Sequence, residues 1–118
     1  LEPGVWSPEE TLRNGAGSCR DSAWLFVNIA RYRGHAARFV SGYLIQSATT
    51  ADAQEVLTGE LHAWAQIFIP DRGWLGFDTT SGLLAGEGHI PLAVADKPEN
   101  AAPCRVCLTG VRQLLMFP

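Results

Sequence analysis

A short apolar segment near the start of the chain largely determines how these 118 residues can pack. Ser18 is a favourable N-cap, Asp21 follows it in the first turn, and Gly34 is placed to end the helix that they begin. The residues from 23 to 30 are apolar on nearly every side of a helix. We therefore expect this helix to be buried on most of its faces and to form the centre of the domain.

A shorter helix precedes the apolar one. Ser7 is its N-cap, Pro8 suits the first helical position, and Glu10 completes a capping box. Asn14 and Gly15 should end this helix after about two turns.

Strands follow the second helix. Stretches rich in β-branched and aromatic residues predict strands over residues 37–45, 61–69 and 74–80. Gly42 marks a bulge within the first of them. Residues 46–60 have no periodic pattern and predict a polar, mobile loop, while residues 82–90 predict an ordered glycine-rich loop. Helices followed by antiparallel strands predict an α+β fold.

Composition fits an ordinary folded domain and excludes several classes of function. The chain is 47% hydrophobic and 18% charged, with a formal net charge of −3. This balance argues against a nucleic-acid-binding or membrane-surface protein, and no apolar run approaches the roughly 18 residues that cross a bilayer. Three cysteines do not make a disulfide framework, so we expect a reducing, cytoplasmic location.

We expect two parts along the chain. Residues 1–95 form the core, and residues 96–118 form a tail that could add a strand. The sequence starts without Met, which we interpret as the excision of this piece from a longer chain. The pair Cys104 and Cys107 has the spacing of half a zinc site, but no second such pair accompanies it, so no metal is expected.

Cys19 is the strongest candidate for chemistry because it directly follows the N-cap Ser18. Free amides and the helix dipole at that position stabilise a thiolate and can hold a developing oxyanion. Gly15 and Gly17 would let a substrate backbone approach the thiol. A buried structural cysteine is the alternative interpretation.

His62 and Asp78 lie at strand ends where a base and its orienting acid could meet Cys19. A structural histidine is the alternative, and His35 and His89 are competing candidates for the base.

Four blocks carry a family resemblance. They are Gly15-Ala-Gly-Ser-Cys19-Arg-Asp-Ser-Ala-Trp24, Gly34-His-Ala-Ala-Arg-Phe-Val-Ser-Gly-Tyr43, His62-Ala-Trp64 and Gly73-Trp-Leu-Gly-Phe-Asp78-Thr-Thr. Together they resemble the transglutaminase-like superfamily, and most closely its bacterial and archaeal branch, which is described in terms of cysteine proteases. The blocks anchor about residues 7 to 95, and the tail carries no motif of the family.

The resemblance implies a papain-like α+β fold in which the Cys19 helix packs on an antiparallel sheet. It also implies a triad of Cys19, His62 and Asp78 that acts on a protein or peptide amide, as a protease, an amidase or a transglutaminase, without a cofactor. The alternative function is a catalytically silent binding module with the same fold, within a larger protein.

Three further residues are candidates for contacting substrate or supporting the triad. Trp64 lies two residues after His62, hence on the same strand face, where it could shield the imidazole from water. Gly17 and Arg20 flank the thiol, and Arg20 has a solvated or paired charge as its alternative role.

Two geometric predictions complete the sequence analysis. The Cys19 sulfur should lie within hydrogen-bond reach, direct or through one water, of a His62 ring nitrogen. A plain two-residue turn after Pro70 would pair Asp78 with Ala65 and turn the carboxylate away from His62. A bulge in the 61–69 strand or a wider loop should therefore shift the pairing by an odd number of residues and bring Asp78 opposite or diagonal to Trp64.

Overall fold

The computed structural model describes residues 4–101, which fold into a helical layer packed on one antiparallel sheet. The helices are α1 Pro8–Asn14, α2 Cys19–Tyr32 and α3 Pro98–Ala101. The strands are β1 Ala37–Thr49, β2 Glu55–Ile69, β3 Gly73–Asp78, β4 Leu83–Leu84 and β5 His89–Ala95. Their order in the sheet is β4-β3-β2-β1-β5, and every pairing is antiparallel. The predicted α+β class is confirmed.

The two predicted helix starts are also confirmed. Ser7 caps α1 and forms a capping box with Glu10, and Ser18 caps α2 in the same way with Asp21. Gly15 ends α1 in the left-handed conformation, with a φ of 66°. These signals are local to four or five residues, so the sequence alone carries them.

The expectation that α2 would be buried on most of its faces is wrong. Ala23, Val27 and Ala30 form a single buried stripe along the helix and pack on the sheet. Ile29 is half-exposed on another side, and Tyr32 is 91% exposed. An apolar sequence on all sides of a helix does not reveal how many of its faces other elements cover. Within residues 4–101, the sheet covers only one face of α2.

The predicted loop over residues 46–60 is also wrong, because most of it is a β-hairpin arm. β1 and β2 stay paired from Ala37–Ile67 as far as Thr49–Glu55, and only residues 50–54 turn. Residues 45–61 are exposed on both faces, so no alternation of apolar and polar side chains marks these strands in the sequence. Backbone hydrogen bonds hold the arm, and they leave no such pattern.

Gly42 lies where the pairing of β1 with β5 changes register. Ser41 pairs with Ala93 and Gly42 pairs with Pro91, so the additional residue belongs to β5. The predicted irregularity is present, on the partner strand. A Cβ at Gly42 would lie 2.1 Å from the Ile90 carbonyl oxygen and 2.9 Å from the Trp64 ring, so only glycine fits.

Gly42→Ala should lower the free energy of unfolding by about 1–3 kcal/mol, because the added methyl meets backbone that cannot move aside cheaply. Urea unfolding measures the loss. Gly86→Ala is the matched control, since a Cβ there would meet nothing within 4 Å. Equal stability of the two variants would contradict the close approach at Gly42.

The start of the expected tail packs on the core. Ala101 in α3 is fully buried in the same cluster as Phe39 and Ala63. The division at residue 95 stays a prediction, and Cys104, Cys107 and the expected additional strand lie outside the described residues. Within residues 4–101, no helix is long and apolar enough to cross a membrane.

Candidate active site

Cys19 is the first residue of α2, and its side chain is half-buried against the core. The helix start around it is fixed by Asp21, whose carboxylate accepts the Ser18 N–H (2.9 Å) and the Trp6 N–H (2.8 Å). Burial is the largest influence on the pKa of Asp21 and raises it, but these hydrogen bonds outweigh burial and lower the pKa below its ordinary value. The ionised carboxylate of Asp21 therefore holds the N-terminus of the helix in place.

The β2–β3 hairpin has the register that was predicted. Ile69 pairs with Gly73 and Ala65 with Phe77, so the loop contains three residues and Asp78 stands level with Trp64. The loop is wider than a two-residue turn, and its middle residue, Asp71, adopts a φ of 73°. This one-residue shift turns Asp78 to the same face as His62.

The carboxylate of Asp78 is 98% buried and accepts four hydrogen bonds. Oδ2 contacts Nε2 of His62 at 2.9 Å and Nε2 of His89 at 2.7 Å. Oδ1 accepts the backbone N–H of Thr80 at 3.0 Å and its hydroxyl at 2.6 Å. Burial is the largest influence on the pKa of Asp78 and raises it, yet the hydrogen bonds from His89, Thr80 and His62 together lower the pKa far below its ordinary value.

The hydrogen-bond partners of the two histidines differ. Nδ1 of His89 accepts the backbone N–H of Gly86 at 3.0 Å, so the hydrogen of the neutral ring is on Nε2 and is donated to Asp78. Nδ1 of His62 has no hydrogen-bond partner among residues 4–101. His62 thus presents Nε2 to the carboxylate, and the lone pair of its Nδ1 stays available.

Trp64 lies beside both histidines. Its place on the same strand face as His62 was predicted. Its ring is 6.1 Å from that of His62 and 5.0 Å, edge-on, from that of His89. Trp64 is buried and both imidazoles are largely covered. The three rings and Asp78 form one compact cluster.

The position of Cys19 relative to this cluster follows from the alternation of β2. Ala63 and Ala65 face α2, so His62 and Trp64 leave the strand on the other side. Arg20, next to the thiol, shares a hollow with Ser41, which pairs with Ala63, the neighbour of His62.

Beyond Trp64, β2 has a free edge toward β3 within residues 4–101. β3 ends at Asp78, so within the described chain β2 has no partner on that side beyond Trp64. The same part of the structure contains no hydrogen bond between the Cys19 thiol and His62. The predicted contact, direct or through a water, stays a prediction.

The remaining predicted residues have structural surroundings of their own. A Cβ at Gly17 would lie 2.7 Å from the Asp21 side chain, which accounts for glycine there. Arg20 is exposed. Their roles toward a substrate stay predictions. His35 is exposed and precedes β1, outside this cluster, whereas His89 joins it, an arrangement that sequence spacing did not reveal.

His62, Asp78 and His89 also have the composition of a metal site, with ligand atoms within 4.8 Å of one another. A metal on Nε2 of His89 would require the hydrogen to move to Nδ1. There it would face the Gly86 N–H, donor against donor. The hydrogen bonds of this cluster therefore fit protons better than a metal ion.

Comparison with known proteins places the chain in a family. Residues 1–79 match the sequence model of the transglutaminase-like superfamily. The chain belongs to this superfamily. No solved structure matches it significantly.

Similar proteins are longer than this chain. The uncharacterized protein Rv2569c of Mycobacterium tuberculosis is 33% identical over 100 residues, which cover 81% of this chain and 32% of that protein. The uncharacterized protein ML0607 of Mycobacterium leprae is 30% identical over 101 residues, covering 86% of this chain and 35% of that protein. The chain thus spans about a third of the length of these relatives.

Proposed function

We propose that this transglutaminase-like domain catalyses thiol-dependent acyl transfer or hydrolysis on a protein or peptide amide. Cys19 is the nucleophile, His62 the base and Asp78 the group that orients the base, in a papain-like arrangement. The observation that carries the proposal is the buried bond between His62 Nε2 and Asp78, which leaves Nδ1 for the thiol.

The choice of His62 over His89 depends on lone pairs. A general base must hold a free lone pair toward the nucleophile while its other nitrogen is oriented by an acceptor. In His89 both nitrogens are occupied, one by Gly86 and one by Asp78. His62 alone of the two can receive a proton from Cys19.

The helix start supports Cys19 as the nucleophile. The thiol lies in the first turn of a helix of 14 residues, where the dipole and free amides favour an anion. Asp21 and Ser18 hold that turn rigidly. The same amides are available to the oxyanion of a tetrahedral intermediate.

The reaction proceeds in two steps. The Cys19 thiol transfers its proton to Nδ1 of His62, and the sulfur attacks the carbonyl carbon of the amide. The carbon–nitrogen bond breaks, the leaving amine takes the proton from His62, and a thioester on Cys19 remains. Water, or an amine, then attacks the thioester, and the thiol is regenerated. Water gives hydrolysis, and an amine gives transamidation.

Alkylation of the thiol tests the proposal without a known substrate. In the full-length protein, iodoacetamide at about pH 6.5 should modify Cys19 at least about tenfold faster than free cysteine, whose pKa is about 8.5. Peptide-resolved mass spectrometry separates Cys19 from Cys104 and Cys107. His62→Ala should remove most of this advantage, because the imidazole no longer accepts the proton.

His35→Ala is the matched control, since His35 is exposed and outside the cluster. It should leave the alkylation rate of Cys19 unchanged. If Cys19 reacted no faster than free cysteine, or if His62→Ala had no effect, the domain would fit the silent binding module instead.

A further inference from the structure

We propose that His89 is a positioning residue that fixes Asp78 for His62. The proposal builds on the proposed roles of Cys19, His62 and Asp78, and it concerns a histidine that neither takes a proton from the thiol nor touches a substrate. His89 donates its Nε2–H to the same carboxylate oxygen that holds His62, and it thereby sets the direction in which that oxygen points.

The first observation is the sharing of one oxygen. Asp78 Oδ2 lies 2.7 Å from His89 and 2.9 Å from His62, so His89 makes the shorter of the two contacts. Thr80 holds Oδ1 with two donors. Without His89, the donors of Thr80 would fix one oxygen only, and Oδ2 would be held by the very residue that it has to orient.

The second observation is that His89 is itself held firmly. It follows a strap, residues 85–88, that crosses from β4 to β5. The Ala85 N–H donates to Gly76 O at one end of the strap, and the Ile45 N–H donates to Gly88 O at the other, both at 2.8 Å. The Gly86 N–H holds Nδ1 of His89, so strap and ring form one unit.

The third observation concerns the face of the ring. Trp64 packs edge-on against His89 at 5.0 Å between ring centroids, at an interplanar angle of 81°. Trp64 is buried and sits on β2, the strand of His62. The imidazole of His89 is thus fixed by a backbone amide, a carboxylate and an aromatic ring, as a rigid support requires.

The test compares two replacements of His89 in the full-length protein. His89→Phe keeps a ring beside Trp64 but removes the donor, whereas His89→Gln keeps an N–H donor of similar reach. The first readout is iodoacetamide alkylation of Cys19 at about pH 6.5. We expect His89→Phe to slow it by about tenfold or more, and His89→Gln to restore most of the rate.

The second readout is the ring N–H proton of His62 by NMR, recorded in a Cys19→Ala background so that the thiol plays no part. The bond to Asp78 should shift this proton downfield and protect it from exchange with water. His89→Phe should make it exchange rapidly, and His89→Gln should keep it protected. His35→Phe, the same replacement at an exposed histidine, should change neither readout.

The outcomes separate the two proposals. Parent-like behaviour of His89→Phe in both readouts would overturn the role of His89 and leave Cys19 and His62 untouched. Equal losses in His89→Phe and His89→Gln would overturn it as well, because packing rather than the donor would then matter. Faster exchange of the His62 ring proton in His89→Phe, together with ordinary Cys19 reactivity in the parent protein, would confirm that His89 positions Asp78. The same result would overturn the proposed function.

A measurement on the parent protein covers the case in which His89→Phe does not fold. Nitrogen-15 NMR of the neutral rings should show Nδ1 of His89 without a hydrogen and Nε2 with a slowly exchanging one. A hydrogen on Nδ1 would overturn the proposal.

Discussion

Cys19→Ala should abolish acyl-enzyme formation and turnover while leaving the fold intact. The thioester of the proposed reaction forms on the Cys19 sulfur, so turnover should fall by about 10⁴-fold or more. The removed sulfur is half-buried and small, so the free energy of unfolding should change by only about 1 kcal/mol. Intact-mass analysis after incubation with peptide amides detects the adduct, and thermal unfolding monitors the fold.

The double replacement Cys104→Ala and Cys107→Ala is the matched control for this experiment. It removes the other two thiols of the chain and should leave the adduct in place. Adduct formation that survives Cys19→Ala but not the double replacement would assign the nucleophile to the second pair.

Asp78→Asn should lower turnover by about 10⁴-fold, because a neutral amide no longer stabilises the imidazolium or selects the tautomer of His62. The amide also cannot satisfy all four donors. If its oxygen faces the two histidines, its NH₂ group faces the N–H of Thr80, and the reverse orientation opposes donors at both rings. We expect a loss of about 1–3 kcal/mol in the free energy of unfolding at neutral pH.

The stability difference between parent and Asp78→Asn should depend on pH in one direction. Folding lowers the pKa of Asp78 below its ordinary value of 3.8, so its ionised carboxylate stabilises the folded state fully at pH values above that value. The stabilisation is lost as the pH falls from there toward the lowered pKa. The parent's advantage, measured by urea unfolding, should therefore be constant near neutrality and shrink below about pH 4.

Asp71→Asn is the matched control for Asp78→Asn. Asp71 is exposed in the hairpin loop at a φ of 73°, a conformation that asparagine also adopts readily. It should change neither turnover nor the pH dependence. A pH-independent difference for Asp78→Asn would mean that the carboxylate gains nothing from its four donors.

The sequence predicted those features that follow from short-range rules. Ser7 and Ser18 predict the starts of the two helices, because a capping box involves residues only three apart. The register that brings Asp78 beside His62 was predictable because strand side chains alternate, and the only alternative turned the carboxylate away. Family motifs added the expected pairing of these residues with Cys19.

Other features depend on contacts between distant parts of the chain. The hairpin arm over residues 46–60 is exposed on both faces, so it has no apolar periodicity to read. His89 reaches Asp78 only because the strap crosses the sheet from β4 to β5, and no local pattern encodes that crossing. From the sequence alone, a histidine at the start of a strand cannot be told apart from one that also contacts a distant carboxylate.

The strap also has a consequence for protein engineering. The tip of the hairpin arm, residues 50–54, and the strap, residues 85–88, both read as small, polar or glycine-rich loops that would accept a tag or an inserted domain. The tip carries nothing but its own turn. The strap leads directly into His89, whose imidazole positions the Asp78 carboxylate. Fusion partners and labels therefore belong at the tip, and lengthening the strap by even one residue would release the carboxylate on which His62 depends.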